Sequence, residues 1–345
     1  MKVLQLVTER RPFFDQQVAA LESAGVESTV CEVPGSHDPE QPRTAAEYAR
    51  FYPEVLRALD DHDLVHANYG LTAPFALALP RRPVVVSFWG TDLMGESDWI
   101  RQLSRYSSDL ADATILPSRR MADVLGRPYT YVPFGIDTDR FRPIPRDEAR
   151  ERVGWNTNEN VVLFPYAPER PEKDFERAER VVERADTDAD LRTVTGAPYD
   201  EMPYYMNASD ALLVTSRRES GPMVVKEAAA CGVPTVSTDV GFVSDVPGAA
   251  VRESDDELAA ALDRVLNDSR SGSVESDRDA DSPNDSAESS AENVPDGSGD
   301  ARLPDDWRLD ATGERLRAVY ERVLSSGSEN TTAGTVQRPD SGGVT

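Results

Sequence analysis

The chain has 345 residues, of which 39% are hydrophobic, and carries a net charge of −25, with an isoelectric point near 4.5. That length holds two ordinary domains or one large one, and the charge excludes a nucleic-acid surface, which needs a basic stripe. Cys31 and Cys231 are too few for a disulfide framework and match no metal-ligand spacing, so a reducing compartment is expected.

The cations are unevenly chosen. Lys2, Lys173 and Lys226 are the only lysines, and every other cationic side chain is arginine. An acidic excess with so little lysine resembles a halophilic cytosolic protein, kept dispersed in high salt by dense carboxylate. A generally acidic protein of low salt is the alternative.

From the N-terminus, the apolar run 2–7 (KVLQLV) predicts a strand. It is too short for a signal-peptide core and lacks a cleavage pattern. Further strands are predicted at 28–33, 64–69, 83–88, 113–118 and 129–134. Between them lie helical patterns, notably 44–61, with apolar residues at three- and four-residue steps. Residues 135–160 are proline-rich and charged and read as a linker. A second series follows, with strands at 161–166, 191–196, 210–215 and 248–253 and a helix at 174–185. The helix 254–268 opens on Ser254 and Glu257, the spacing of a capping box.

This alternation predicts parallel α/β sheets, and its repetition predicts two Rossmann-like domains with a cleft between them. The expected boundaries are 1–140, a linker at 141–160, and 161–268. Residues 268–300 hold ten Asp or Glu against two Arg and almost no large apolar residues, so they are expected to form a disordered acidic insertion over 269–300. The helical period returns over 305–324, predicting a helix within 301–325 that packs back on the body. A polar, disordered tail follows at 326–345. No window approaches the ~18 apolar residues of a spanning helix. The chain is expected to be soluble and cytoplasmic; attachment at the inner membrane surface is compatible with this, although no basic amphipathic helix marks a docking face.

The stretch RESGPMVVKEAAACGVP (218–234) carries the chemistry. Gly221 and Pro222 suit a helix start, with Pro222 at the first helical position. The amides of Met223 and Val224 would then point outward with the positive end of the helix dipole, a ready anion site. Glu219 precedes this helix and Glu227 lies on it. Eight residues at ~1.5 Å rise span ~12 Å, roughly the reach of a sugar–diphosphate–ribose unit. Two acceptor-only carboxylates at its ends can hold sugar and ribose hydroxyls. A solvated helix glutamate is the alternative for Glu227.

The stretch resembles the E-x7-E signature of the retaining glycosyltransferases of family 4, the group 1 glycosyltransferases, which have the GT-B fold. Its flanks MPYYMNASDALLVTSRRES and AAACGVPTVSTDVG resemble the family's. DLVHANYG (63–70), VVVSFWGTDL (84–93), ADATILPSRRMADVL (111–125) and YVPFGIDTDRFRP (131–143) fall in the family's order. The resemblance covers about residues 1–266 and the last helix. It implies that Glu219 contacts the donor sugar, that Ser220, Gly221, Pro222, Met223 and Val224 meet sugar and phosphate oxygens, and that Glu227 holds the ribose. APERPEKDF (167–175) resembles the family's basic segment, so Lys173 would neutralise the diphosphate. Arg170 would join it from a shorter spacing, or form a surface ion pair.

Two departures stand out. The family's Gly-Gly turn after the first strand is replaced by TERRPFFDQQ (8–17), where Arg10 or Arg11 either substitutes for that backbone contact or is a surface residue. Trp89 occupies the place of a common histidine before Gly90; an indole can stack on a sugar but cannot accept a proton. On this acceptor side the resemblance adds His66, alternatively a satisfied core histidine, and Asp92, alternatively a turn or cap residue.

The resemblance therefore implies a two-domain GT-B enzyme. It would move a sugar from a nucleoside-diphosphate sugar to a glycan or lipid-linked acceptor with retained configuration, and it would need no cofactor, metal or enzyme nucleophile. The alternatives are a nucleotide-sugar 2-epimerase and a non-catalytic partner subunit of the same fold that binds glycan or nucleotide. A Rossmann dehydrogenase is disfavoured, because no G-x-G-x-x-G follows a strand.

Overall fold

The computed structural model describes residues 1–35, 43–80, 83–156, 158–219, 221–272 and 303–332. The chain divides into two compact units, residues 1–133 with 310–345, and residues 134–309.

The first unit carries a six-stranded parallel sheet of β1 (Lys2–Val7), β2 (Glu27–Glu32), β3 (Leu64–Asn68), β4 (Val84–Ser87), β5 (Ala113–Leu116) and β6 (Thr130–Tyr131). Their order is β2-β1-β3-β4-β5-β6. Central strands β3 and β4 are buried at every residue, as expected of parallel strands covered on both faces. One face packs on the helix Ala45–Ala58 through Phe51 and Val55. The other packs on Leu316, Val319, Tyr320 and Val323 of the last helix, Leu309–Thr332, which meet Val3, Leu64, Val85 and Ile115. Gly313 permits this approach, since a Cβ there would stand 2.5 Å from the Ala20 carbonyl oxygen.

The second unit holds five parallel strands, β7 (Val161–Phe164), β8 (Asp190–Thr193), β9 (Ala211–Val214), β10 (Thr235–Ser237) and β11 (Ala249–Val251). They lie in the order β11-β10-β9-β7-β8. The capping box forms: Glu257 Oε2 accepts from the Ser254 amide at 3.0 Å, and the Glu257 amide donates to Ser254 Oγ at 3.3 Å.

The linker expected at 141–160 is corrected. These residues belong to the second unit, where Ile136 and Phe141 join the core and Arg146–Val153 form a helix. The many charges that suggested a linker include a buried ion pair. Arg150 Nη2 lies 2.7 Å from Asp210 Oδ2, and Arg150 also donates to the Ala208 and Asn156 carbonyls. The same carboxylate accepts the Val161 amide at 2.7 Å, tying this helix to the start of β7. Of the acidic segment, residues 268–272 continue the helix Asp255–Gly272. The rest of the expected insertion lies outside the described residues, as does the tail beyond 332.

Candidate functional site

In the second unit β7 lies between β9 and β8, so the strand order reverses beside it. Ligands of open parallel sheets settle at such a switch, outside the carboxyl ends of the strands. The chain after β7 brings Tyr166, Arg170 and Lys173 there, and the chain after β9 brings Ser216 and Glu219.

Side-chain-to-backbone bonds fix these two loops to one another. Thr215 Oγ1 donates to the Lys173 and Asp174 carbonyls at 3.1 and 2.9 Å, and the Arg217 amide donates to the Glu172 carbonyl at 3.0 Å. So held, the Lys173 ammonium ion-pairs with Glu219, both side chains being largely buried. Ser216 Oγ donates to Glu219 Oε1 at 3.1 Å. The ammonium also stands 4.0 Å from the centroid of the Tyr166 ring. Burial pulls the Lys173 pKa below its ordinary value, and the Glu219 carboxylate opposes that pull. The Tyr166 phenol is pushed well up by burial first, then by Glu219 and more weakly by Glu227. One phenol thus feels both signature carboxylates.

Arg170 is placed differently. Its guanidinium is about half exposed and pairs with Glu172 at 2.6 Å. Its charge still acts on Tyr166 and Lys173, lowering the pKa of each.

The helix Met223–Ala230 begins one residue later than the sequence suggests, with Pro222 as its N-cap residue at φ −71° and ψ 104°. Its first amides, those of Met223 and Val224, have no carbonyl four residues back within the helix. Gly221 is fixed by sterics: a Cβ there would stand 2.3 Å from the Phe242 ring. Gly241, at φ 56°, packs on the backbone of Gly221, and its own Cβ would stand 3.0 Å from Gly221 Cα. Ser220 lies outside the described residues. Glu227 is 4% exposed, and Tyr199 donates to its Oε1 at 2.9 Å. Burial raises this carboxyl to about 7, against the lowering effect of the Tyr199 bond. It is not a solvated surface glutamate.

In the first unit, Trp89, Gly90 and Asp92 follow β4 and form one turn. Asp92 is buried and accepts the amides of Trp89, Gly90 and Gly70. Burial raises it to about 6, although those amides favour the carboxylate. Asp92 is therefore the staple of a turn, and its oxygens are committed to backbone. Gly90 adopts φ 132°, which suits glycine. The Trp89 ring packs edge-on against Phe13 at 4.9 Å and tilted against Tyr69 at 6.2 Å. Its Nε1 is buried without a hydrogen-bond partner.

The acceptor-side expectation for His66 is corrected. The ring is fully buried, with Nδ1 2.7 Å from Tyr320 Oη and Nε2 2.7 Å from Ser87 Oγ. Desolvation pushes its pKa down to about 3, so it is neutral. Both nitrogens are occupied in a core network. Sequence reasoning also passed over Tyr166, Ser216 and Tyr199. Tyr166 sits at the carboxyl end of a predicted strand, which was the available signal; Tyr199 had none.

Two family models match the chain, one described as Glycosyl transferases group 1 over residues 171–281, the other as Glycosyltransferase Family 4 over residues 9–140. A D-inositol 3-phosphate glycosyltransferase of Catenulispora acidiphila is 27% identical over 279 residues, covering 63% of this chain and 67% of the relative. Among solved structures, a sucrose-phosphate synthase from Thermosynechococcus elongatus superposes with a TM-score of 0.71 at 14% identity, covering 94% of this chain and 100% of that one. Anabaena HepE in complex with UDP-glucose gives 0.64 at 13% identity, covering 95% and 100%. At these identities the structures establish the fold, GT-B, and the family models add the assignment. In both of its units the chain is similar to the glycosyltransferases of group 1 and Family 4.

Proposed function

We propose that this glycosyltransferase takes its sugar from a nucleoside-diphosphate sugar and passes it, with retained anomeric configuration, to a glycan or lipid-linked acceptor. The observation that carries this reading is the ion pair of Lys173 and Glu219 at the strand-order switch, beside the start of the helix that bears Glu227. The pair presents a cation and an acceptor-only carboxylate side by side, which suits a ligand whose sugar hydroxyls adjoin a diphosphate.

In this reading Glu219 accepts hydroxyls of the donor sugar and Glu227 those of the ribose. The Lys173 ammonium and the amides of Met223 and Val224 stabilise charge that builds on the leaving diphosphate. Arg170 contributes long-range charge, its fork being engaged by Glu172. Gly221 and Pro222 line the same loop. Trp89 offers an apolar face for the acceptor sugar. No protein nucleophile or metal is invoked; preset charge and orientation supply the rate.

HepE, of the same fold, is described in complex with UDP-glucose, which supports a nucleotide-sugar donor here. Among the described residues no helix is long and apolar enough to cross a membrane, and we place the enzyme in the cytoplasm, where a lipid-linked acceptor would be met at the inner membrane surface. The test is transfer from a panel of nucleotide sugars in high salt, with the product anomer read by NMR. Inverted products would remove the retaining mechanism. Full activity of both Glu219→Ala and Lys173→Ala would remove the donor site.

A further inference from the structure

Lys226 is 1% exposed, and among the described residues no carboxylate lies within ion-pair distance of it. Its Nζ donates to the Phe134 carbonyl at 2.9 Å. It stands 4.1 Å from the centroid of the Trp307 ring and 4.4 Å from that of Phe242. An ammonium has three donors and accepts nothing. Here one is met by a carbonyl, and two aromatic faces attract the remaining charge.

This is an expensive way to fill space. An apolar side chain of similar length would occupy the volume without desolvating a charge. What the charge does is draw three separate segments to one point. Phe134 begins the second unit, and Trp307 lies two residues before its end at Leu309. Those two ends are themselves paired, since the Ile136 amide donates to the Trp307 carbonyl at 2.8 Å and the Leu309 amide to the Ile136 carbonyl at 3.0 Å. Phe242 belongs to the loop after β10, and its ring edge is the surface that Gly221 touches.

We propose that Lys226 is a positioning residue for the donor site: through Phe242 it fixes Gly221 and the start of the helix Met223–Ala230. The chain of contact runs from ammonium to Phe242 ring, from ring to Gly221, and from Gly221 to the outward-pointing amides of Met223 and Val224. Lys226 itself touches no substrate. The inference rests on the donor-site reading above.

The charge is also adjustable. Burial lowers the Lys226 pKa to about 7, with Asp306 and Asp245 opposing that shift. The groups that face it are the Phe134 carbonyl, the Phe242 and Trp307 rings, and these two carboxylates. Deprotonation removes the attraction to both rings, so the helix start loosens as pH rises past neutrality.

The experiment measures donor KM and kcat for Lys226→Met and Lys226→Arg beside Glu219→Ala, with thermal unfolding as the folding control. Lys226→Met is expected to raise donor KM about tenfold with kcat within about twofold and Tm equal or higher, because the desolvation cost is gone. Lys226→Arg, which keeps the charge, is expected to restore most of the affinity. Trp307 fluorescence should titrate with a midpoint near pH 7 in the parent and in Glu227→Gln, but not in Lys226→Met. A folded Lys226→Met protein with the parent's donor KM overturns the proposal. If that variant does not fold, Trp307→Leu is read instead, and an unchanged donor KM overturns it equally. Should Glu219→Ala also keep the parent's KM, the donor-site reading itself has failed; if Glu219→Ala loses affinity and Lys226→Met does not, the positioning role alone is wrong.

Discussion

The hydroxyl of Tyr199 donates to Oε1 of Glu227 over 2.9 Å, and that bond alone does not keep the buried carboxyl ionised at mildly acidic pH. Its pKa is raised to about 7, so in the fold it holds a proton that an unfolded glutamate releases near its ordinary value. The protonated form is favoured by folding. Stability is therefore fully present below the unfolded pKa and falls as pH rises towards 7. Over that window the loss is on the order of 2–3 kcal/mol. Glu227→Gln should flatten the slope, as read from urea midpoints between pH 4.5 and 7. Hydroxyls of a bound ribose favour the carboxylate, so donor binding near pH 6.5 should release a proton. Calorimetry in two buffers of different ionisation enthalpy would measure it; zero release refutes the ribose role.

Replacing Lys173 by Met removes the cation that opposes Glu219. Loss of a charge placed for the leaving group costs about 10²–10³-fold in turnover. Arg170→Met, which removes a half-exposed guanidinium already paired with Glu172, should cost far less than Lys173→Met. Steady-state kinetics on the two variants checks the order, and equal losses would restore Arg170 to direct contact.

Gly221→Ala places a methyl group 2.3 Å from the Phe242 ring. Overpacking of that kind costs about 1–3 kcal/mol. The strain falls on the loop between the two glutamates, so donor KM should rise together with the drop in Tm. Gly221→Ala with Phe242→Leu should recover part of both, and a double-mutant cycle would show the coupling.

Asp210→Ala strands the buried guanidinium of Arg150 and leaves the Val161 amide without its acceptor. Breaking such a pair costs about 3–5 kcal/mol, measurable by urea unfolding. Replacing Arg150 and Asp210 together by apolar residues should cost much less than Asp210→Ala alone.

Strand alternation made both sheets legible, because buried parallel strands such as Val161–Phe164 and Ala211–Val214 are unbroken apolar runs. Thr235–Ser237 was missed as a strand: three residues beside Pro234 give too little pattern to separate from the loop after the signature helix. The helix Arg146–Val153 was hidden because its buried residues are only Ala149 and Arg150, and a buried arginine has the look of a surface charge until its partner, sixty residues on, is known. The same limit applied to the site. Glu219 and Glu227 stand out by their spacing across one short loop and helix, whereas Lys173 is named only through the family resemblance, its partner Glu219 lying 46 residues on. His66 could not be separated from a ligand, because its partners Ser87 and Tyr320 are distant in sequence. Tyr166 needed its neighbours from β9 before its role had any meaning.

Leu266 and Leu303 pack into the same core of the second unit. Both leucines thus anchor the chain to one interior before it returns to the first unit at Asp310. A backbone cut between those two leucines divides a single hydrophobic interior into complementary fragments, leaving the last helix attached to the shorter piece. Two separately expressed polypeptides split there have an apolar surface to reassemble on.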